Sequence, residues 1–409
     1  MKYLIATIIL VVLLIQPIFA QLKEDLSSSE RGRDGIFESK AYKMCYVGVP
    51  VMVAGLIVKK QDDSFRALRD FYLPEFDCHV DDYLQYSPAA LMLGLKAAGV
   101  ESRSSWGRML TADAFSSAFM AIAVNSLKYT TDVMRPDGSS RNSFPSGHTA
   151  TAFMCATMLH KEYGVVSPWY SIGGYSVATA TGFMRMSNNK HWLSDVMVGA
   201  SIGILTTELG YFISDLIFKD RGINKDLVAQ KPSWFDYDRT TSIGISLGVG
   251  STIGNFDLWD GKELQVDAGS RVGVEGNHLF NQNIGIGGRL VATTSKLRID
   301  DEPIEETLSV ISYGLGPYFA YPLTPRWRVG AKALMQYNVY HDCQVEGYDI
   351  DVMDGGYFGV ATGASVEFLS NAHWVLKFFA DYDLTLLRGL PRSNSHQQIV
   401  VGVNGNVLF

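Results

Sequence analysis

The sequence predicts an α + β chain of two domains: a helical half over residues 41–218, then an eight-stranded antiparallel transmembrane β-barrel over residues 240–409. Three observations carry this reading. Before residue 218, apolar stretches such as "MCYVGVPVMVAGLIV" and "DVMVGASIGILTTELGYFISDLIF" are rich in Ala, Gly, Met and Leu and bounded by charges, which is a helical pattern. After residue 240 the apolar period switches to two. Between them, residues 219–239 are polar and charged around Pro232, the composition of a linker.

The amino terminus, "MKYLIATIILVVLLIQPIFAQ", has a Lys, an apolar run short for a membrane span, and Ala20 before a polar stretch. This is the pattern of a secretory signal peptide over residues 1–20, cut before Gln21, with a polar segment over 21–40. A net charge of -7 without long basic runs argues against a nucleic-acid partner. Cys45 and Cys78 lie in the first exported region and can form a disulfide in an oxidising compartment; Cys155 reads as a small buried residue and Cys343 as a loop residue. No pair has the spacing of a metal or redox site.

Five to seven helices fit residues 41–218. Most uncharged runs there are about 12 to 15 residues, below the roughly 20 that a spanning helix needs. The longest, 165–184, is diluted by Ser, Thr, Gly and Tyr. The reading is of tightly packed, largely internal helices, with membrane spans as the alternative.

In the second half, Ile243, Ile245, Leu247 and Val249 alternate with Ser and Gly. Trp327, Val329, Ala331, Ala333, Met335, Tyr337 and Val339 share one face of their segment, opposite Arg328, Lys332, Gln336 and Asn338. About eight such segments, each near ten residues, are apolar on one face and polar on the other, the pattern of strands crossing a membrane. A soluble barrel also alternates. The uniform length, the large aromatic side and the terminal Phe409 favour outer-membrane lipids as the surroundings; that ending resembles the carboxyl-terminal signature of bacterial outer-membrane proteins. Side chains fill the interior of a barrel this small, which makes it an anchor and not a pore.

Three segments gather charge inside the helical half. In "LKYTTDVMRPDG", Lys128 and Arg135 are seven apart, two helical turns, and Pro136 places Arg135 near a helix end. In "PSGH", Ser146 can cap a following helix, so that backbone N–H groups beside Gly147 and His148 face an anion. In "MRMSNNKHWLSD", Asn189 is a plausible cap, and His191 and Asp195 sit four apart on one helical face, where the carboxylate fixes the imidazole tautomer. Lys128, Arg135 and Arg185 with helix N–H groups can neutralise a phosphate and its pentacoordinate transition state. His191 can then attack phosphorus, and His148 can protonate the leaving oxygen and later activate water. No cluster with two-metal spacing is visible, and the chemistry calls for neither metal nor cofactor.

Lys-x6-Arg-Pro, Pro-Ser-Gly-His and Arg-x5-His-x3-Asp, in that order, resemble the type 2 phosphatidic acid phosphatase superfamily, which includes lipid phosphatases, soluble bacterial acid phosphatases and vanadium haloperoxidases. The resemblance covers roughly residues 40–218. It implies an all-helical bundle with His191 as nucleophile, Asp195 as its partner, His148 as acid/base, and Lys128, Arg135, Ser146, Gly147 and Arg185 holding phosphate. One departure stands out: Met184 occupies the place where the family usually has Ser. The barrel looks like small eight-stranded outer-membrane barrels. Together these imply a lipid phosphatase with its catalytic domain on the periplasmic side of the outer membrane. Lipid A phosphate, phosphatidylglycerol phosphate, phosphatidic acid and isoprenyl pyrophosphate all qualify as substrates, lipid A first on location. A nonspecific acid phosphatase and a vanadate-dependent haloperoxidase are the alternatives.

Overall fold

The computed structural model describes residues 40–229, 241–257, 263–324, 326–341, 355–369, 374–387 and 395–408. The expected signal peptide, nearly all of the polar segment, the second half of the expected linker, Cys343 and Phe409 lie outside them. The chain divides into two compact units. One takes the residues up to Asp62 together with Leu73–Lys231; the other takes Asp63–Tyr72 with Pro232–Phe409.

The helical unit contains α1 (Lys40–Cys45) and α2 (Gly48–Val58), then, after α3 (Asp62–Tyr72), α4 (Asp81–Leu84), α5 (Ser87–Ala97) and α6 (Trp106–Thr131). It continues with α7 (Gly147–Tyr163), α8 (Pro168–Ser187), α9 (Leu193–Phe218) and α10 (Lys225–Ala229). Nearly all of α3 goes with the barrel unit. Helix α9 is the axis of the bundle and packs against α6, α7 and α2. Small residues permit the close approach: a Cβ on Gly199 would stand 2.5 Å from the Ser146 carbonyl oxygen, and one on Gly203 would collide with the Ala150 carbonyl. An apolar cluster of Met52, Val124, Leu127, Phe144, Val198, Ile202 and Leu205 fills the space between these helices. At the far end the buried Arg108 donates to the carbonyls of Lys219 (2.7 Å) and Arg221 (2.9 Å). Residues 219–229, expected as linker, are thus structured within this unit.

Two described helices, α6 and α9, are long and apolar enough to cross a membrane, and they differ in surroundings. Helix α9 is mostly buried, as expected of an internal helix. Helix α6 is not. Trp106, Leu110, Ile122 and Tyr129 are exposed along its outer face, which carries no exposed charge between its ends. Cys45, Cys78 and Cys155 are free thiols, so no disulfide joins the first two.

The barrel unit has eight long strands: β1 (Thr241–Thr252), β4 (Gly269–Leu279), β5 (Ile284–Ile299), β6 (Glu302–Pro322), β7 (Trp327–Tyr340), β8 (Gly355–Leu369), β9 (Trp374–Leu386) and β10 (Ser395–Leu408). The short β2 (Phe256–Asp257) and β3 (Glu263–Val266) extend one edge beside β5. Each long strand pairs antiparallel with its neighbours in the order β1-β4-β5-β6-β7-β8-β9-β10. Pairing of β1 with β10 from Ser242↔Leu408 to Thr252↔Gln398 closes the ring. The strands run to 21 residues, longer than the ten or so expected. The β5–β6 ladder continues to a two-residue turn in which Asp300 and Asp301 take positive φ, a conformation Asp tolerates better than most residues.

The two faces of this sheet decide what surrounds it. Ile245, Leu290, Leu315, Met335, Phe358 and Val401 point outward and are exposed, Met335 to 74%. The interior is charged. Glu275 accepts from Lys332 and Lys377, each at 2.6 Å, Arg289 reaches Asp381 at 2.7 Å and Asp383 at 2.6 Å, and Arg271 also pairs with Asp383. A soluble barrel buries its apolar face; this one buries its ions and presents its hydrocarbon, which is stable only in lipid. Phe368 has the same parity on β8 as the outward Phe358 yet is buried, because Trp327 of β7 packs against it at a tilted angle with ring centroids 4.8 Å apart.

Met335→Arg places a charge on that outer face midway along β7. In a bilayer it should cost roughly 2–4 kcal/mol of barrel stability, read from urea unfolding in liposomes, whereas an exposed Met on a soluble barrel would tolerate Arg within about 0.5 kcal/mol.

Candidate active site

The expected site residues converge at one end of the helical unit, where α6 and α8 finish and α7 and α9 begin. Ser146 is the N-cap of α7: it is in extended conformation, and its Oγ accepts from the Thr149 N–H at 3.4 Å. Gly147 opens the helix, and a Cβ there would meet the Lys128 side chain at 3.9 Å. The start of α7, with the positive end of its dipole, therefore lies beside the Lys128 side chain, a setting for an anion. Lys128 Nζ donates to the Asn142 carbonyl at 2.5 Å.

Lys128 and Arg135 do not share a helical face, as their spacing suggested. Asp132, in the left-handed region, ends α6. Arg135 lies in the following loop, its N–H on the Ser140 carbonyl (2.9 Å) and its carbonyl accepting from Gly138 (3.0 Å). The loop returns the guanidinium to the cluster, so Lys128, Arg135, Arg185 and Asp195 are electrostatic neighbours. Arg135 Nε and Arg185 Nε are buried without a hydrogen-bond partner.

His191 also differs from expectation. It precedes α9, whose N-cap is Trp192, and the turn before it passes through Asn189 at positive φ, so Asn189 is not the cap. Asp195 occupies the third helical position. Its Oδ2 accepts from the Trp192 N–H at 3.0 Å and lies 3.5 Å from His191 Nδ1. Ser143, which sequence reasoning missed, donates its hydroxyl to the same oxygen and sits 3.5 Å from His191 Nδ1. The Ser146 N–H donates to the Asp195 carbonyl at 3.0 Å, tying the two helix starts together. Behind them, Asp62 takes the Ser194 N–H (3.0 Å) and hydroxyl (2.5 Å), and burial raises its carboxyl to about 7.

The His191 imidazole is buried, and desolvation pulls its pKa down to about 4 against the opposing pull of Asp195. At neutral pH the ring is uncharged. With Nδ1 beside Asp195, Nε2 is the nitrogen left with a free lone pair.

Arg185 and His148 have partners that no sequence pattern indicated. Arg185 Nη1 donates to Asp81 Oδ2 at 2.7 Å and lies 3.9 Å from Asp82 Oδ1, and His148 Nε2 is 2.8 Å from that same Asp82 oxygen. Both carboxylates come from α4. The segment is held by Asn188, whose amide accepts from the Cys78 N–H (2.9 Å) and donates to the Cys78 carbonyl (2.6 Å). Burial and Arg185 lower the His148 pKa; Asp82 and Asp81 oppose them. One ligand atom from each of Asp81, Asp82 and His148 falls within a 4.8 Å cluster. The Arg185 guanidinium already supplies positive charge to both carboxylates. Met184, where a Ser was expected, is half-buried next to Arg185.

Residues 110–216 match the PAP2 superfamily. A lipid A 1-phosphatase of Porphyromonas gingivalis is 42% identical over 253 residues, 61% of this chain and 56% of that protein; the chain thus spans about half the length of the curated relative it matches. Among solved structures, a transmembrane PAP2-type phosphatidylglycerolphosphate phosphatase from Bacillus subtilis is 21% identical with a TM-score of 0.32, covering 43% of this chain and all of its own. The outer membrane protein OprG of Pseudomonas aeruginosa is 11% identical with a TM-score of 0.33, covering 42% of this chain and 96% of its own.

The contact between Gly199 and the Ser146 carbonyl is testable. Gly199→Ala should cost about 1–3 kcal/mol by overpacking, seen as a lower melting temperature of the helical signal in circular dichroism. An unchanged melt would mean that the two helix starts are not pressed together.

Proposed function

We propose, from the PAP2 match and the cluster at the start of α7 and α9, that the chain is a metal-independent phosphatase acting through a phosphohistidine on lipid-linked phosphate at the outer membrane. One observation carries the reading. A buried, neutral imidazole stands beside a carboxylate, among three cations and a helix N-terminus, with a second imidazole nearby.

Phosphate enters among Lys128, Arg135, Arg185 and the N–H groups of Gly147 and His148, with Ser146 shaping the turn. His191 Nε2 forms a bond to phosphorus as the ester P–O bond breaks, and His148 delivers a proton to the leaving oxygen. Asp195 takes up the positive charge that develops on His191. Water then attacks phosphorus, His148 accepts its proton, and the N–P bond breaks to free inorganic phosphate. Cations fixed before the reaction stabilise the transition state without reorganising, commonly the largest contribution in such sites.

The substrate we favour is the phosphate of lipid A, followed by phosphatidylglycerol phosphate, phosphatidic acid and isoprenyl pyrophosphate. The name of the Porphyromonas relative supports lipid A as the first choice, the other three being unranked among themselves, and the lipid-facing barrel supports a substrate that shares its membrane. A sugar or glycerol oxygen is a poor leaving group as an alkoxide, so the proton from His148, which lets it depart as the neutral alcohol, matters to the first step. The catalytic unit is read as lying on the periplasmic side.

Purified full-length protein in liposomes, given each lipid phosphate and a water-soluble aryl phosphate, should release phosphate fastest from lipid A. His191→Ala should lower release from every substrate by roughly 10⁴-fold or more. Turnover surviving that change overturns the phosphohistidine assignment. Faster turnover of the aryl ester makes the protein a nonspecific acid phosphatase.

The titrations have a defined sign. His191 must be neutral, so kcat/KM rises with pH through about 4; His148 must be protonated, so kcat/KM falls through a value below 6.5. The optimum for the free enzyme should therefore be acidic, measured as kcat/KM against pH. The optimum for kcat should lie higher, because a bound phosphate dianion favours the protonated ring.

A further inference from the structure

We infer that Asp82 is the positioning residue of His148, holding its Nε2–H so that Nδ1 carries the proton exchanged with substrate and water; this rests on the phosphatase reading above. The site then contains two histidine–carboxylate pairs with opposite surroundings. The His191–Asp195 pair is sealed, with side chains 2% and 0% exposed; the His148–Asp82 pair is 32% and 47% exposed. Sealing suits a nucleophile that must stay uncharged. Exposure suits an acid that must recover a proton from water in every cycle.

The pairing is built, not incidental. Asn188 clamps the backbone of Cys78, and the fully buried Asp81 holds Arg185 and lies 3.4 Å from the Asn188 amide, which together deliver Asp82 to His148. An imidazole whose far nitrogen donates to a carboxylate is fixed in tautomer and orientation, and its protonated form is stabilised. In the first step the Nδ1 proton passes to the leaving oxygen as the P–O bond breaks. In the second, the attacking water's proton returns to Nδ1 as the N–P bond to His191 breaks. The charged groups that act on His148 are Asp81 and Asp82 from α4 and Arg185 from α8. Of these, Asp82 alone makes a hydrogen bond to its ring among the described residues.

Three full-length variants in liposomes test this: Asp82→Asn, Asp82→Glu and Asp81→Asn. In Asp82→Asn the basic limb of kcat/KM should move to lower pH, so that the ratio of the rate at pH 5 to that at pH 7.5 rises about tenfold. Asp82→Glu should restore the wild-type limb. Asp81→Asn should instead weaken substrate binding through Arg185, raising KM, and should move the limb less than Asp82→Asn does, because Asp81 acts on His148 through its charge and makes no hydrogen bond to the ring. A basic limb that stays in place in Asp82→Asn, or a rate lowered equally at all pH values with melting unchanged, overturns the inference. Histidine NMR without substrate separates this from the phosphatase reading. The His148 titration should move to lower pH in Asp82→Asn even if no phosphate ester is ever turned over, and an unmoved titration overturns the pairing whatever the kinetics show.

Discussion

The helical unit is governed by the mutual repulsion of three cations that stand close together. Lys128, Arg135 and Arg185 are electrostatic neighbours in a partly buried pocket, where like charges repel more strongly than in water. The fold answers from several directions. Asp81 satisfies one edge of Arg185, the Asn142 carbonyl takes the Lys128 ammonium, and Asp195 adds a negative charge behind them. None of these partners neutralises the pocket, since Arg135 Nε and Arg185 Nε remain without partners. The cluster is thus held in place without being quenched, as the proposed anion site requires.

His191 is the counterpart of that arrangement. Burial and two nearby cations act to keep it neutral, and a single carboxylate acts to charge it. Burial wins, and the carboxylate is left to orient the ring and, in the proposed reaction, to receive charge later. Ser143 strengthens the orientation by bonding the same Asp195 oxygen. The barrel follows the same electrostatic logic with the solvent reversed. In lipid the interior is the only place for ions, so Glu275, Asp381 and Asp383 gather Lys332, Lys377, Arg271 and Arg289 inward.

Much of this was legible in the chain itself. Strict alternation marked the strands because the two faces meet different media at every step, and the three charged motifs survived because their spacings are local. The two differences at helix ends share a cause. Asp132 and Asn189 take left-handed conformations that polar residues only sometimes adopt, so a helix was extended past one and begun at the other. Strand lengths were underestimated because pairing continues beyond the alternating stretch, as β6 shows over Glu302–Pro322. Ser143, Asp81 and Asp82 escaped notice for a different reason. Their partners lie 52, 104 and 66 residues away, and no periodicity encodes a contact of that range.

The ion pairs across the barrel interior have a bearing on permeability. Opening a path for solutes would mean parting Glu275 from two lysines and Asp381 and Asp383 from two arginines, each an uncompensated charge in a narrow space. A membrane crowded with this protein gains surface coverage and no leak. Phosphate on one side stays on that side until some other carrier moves it.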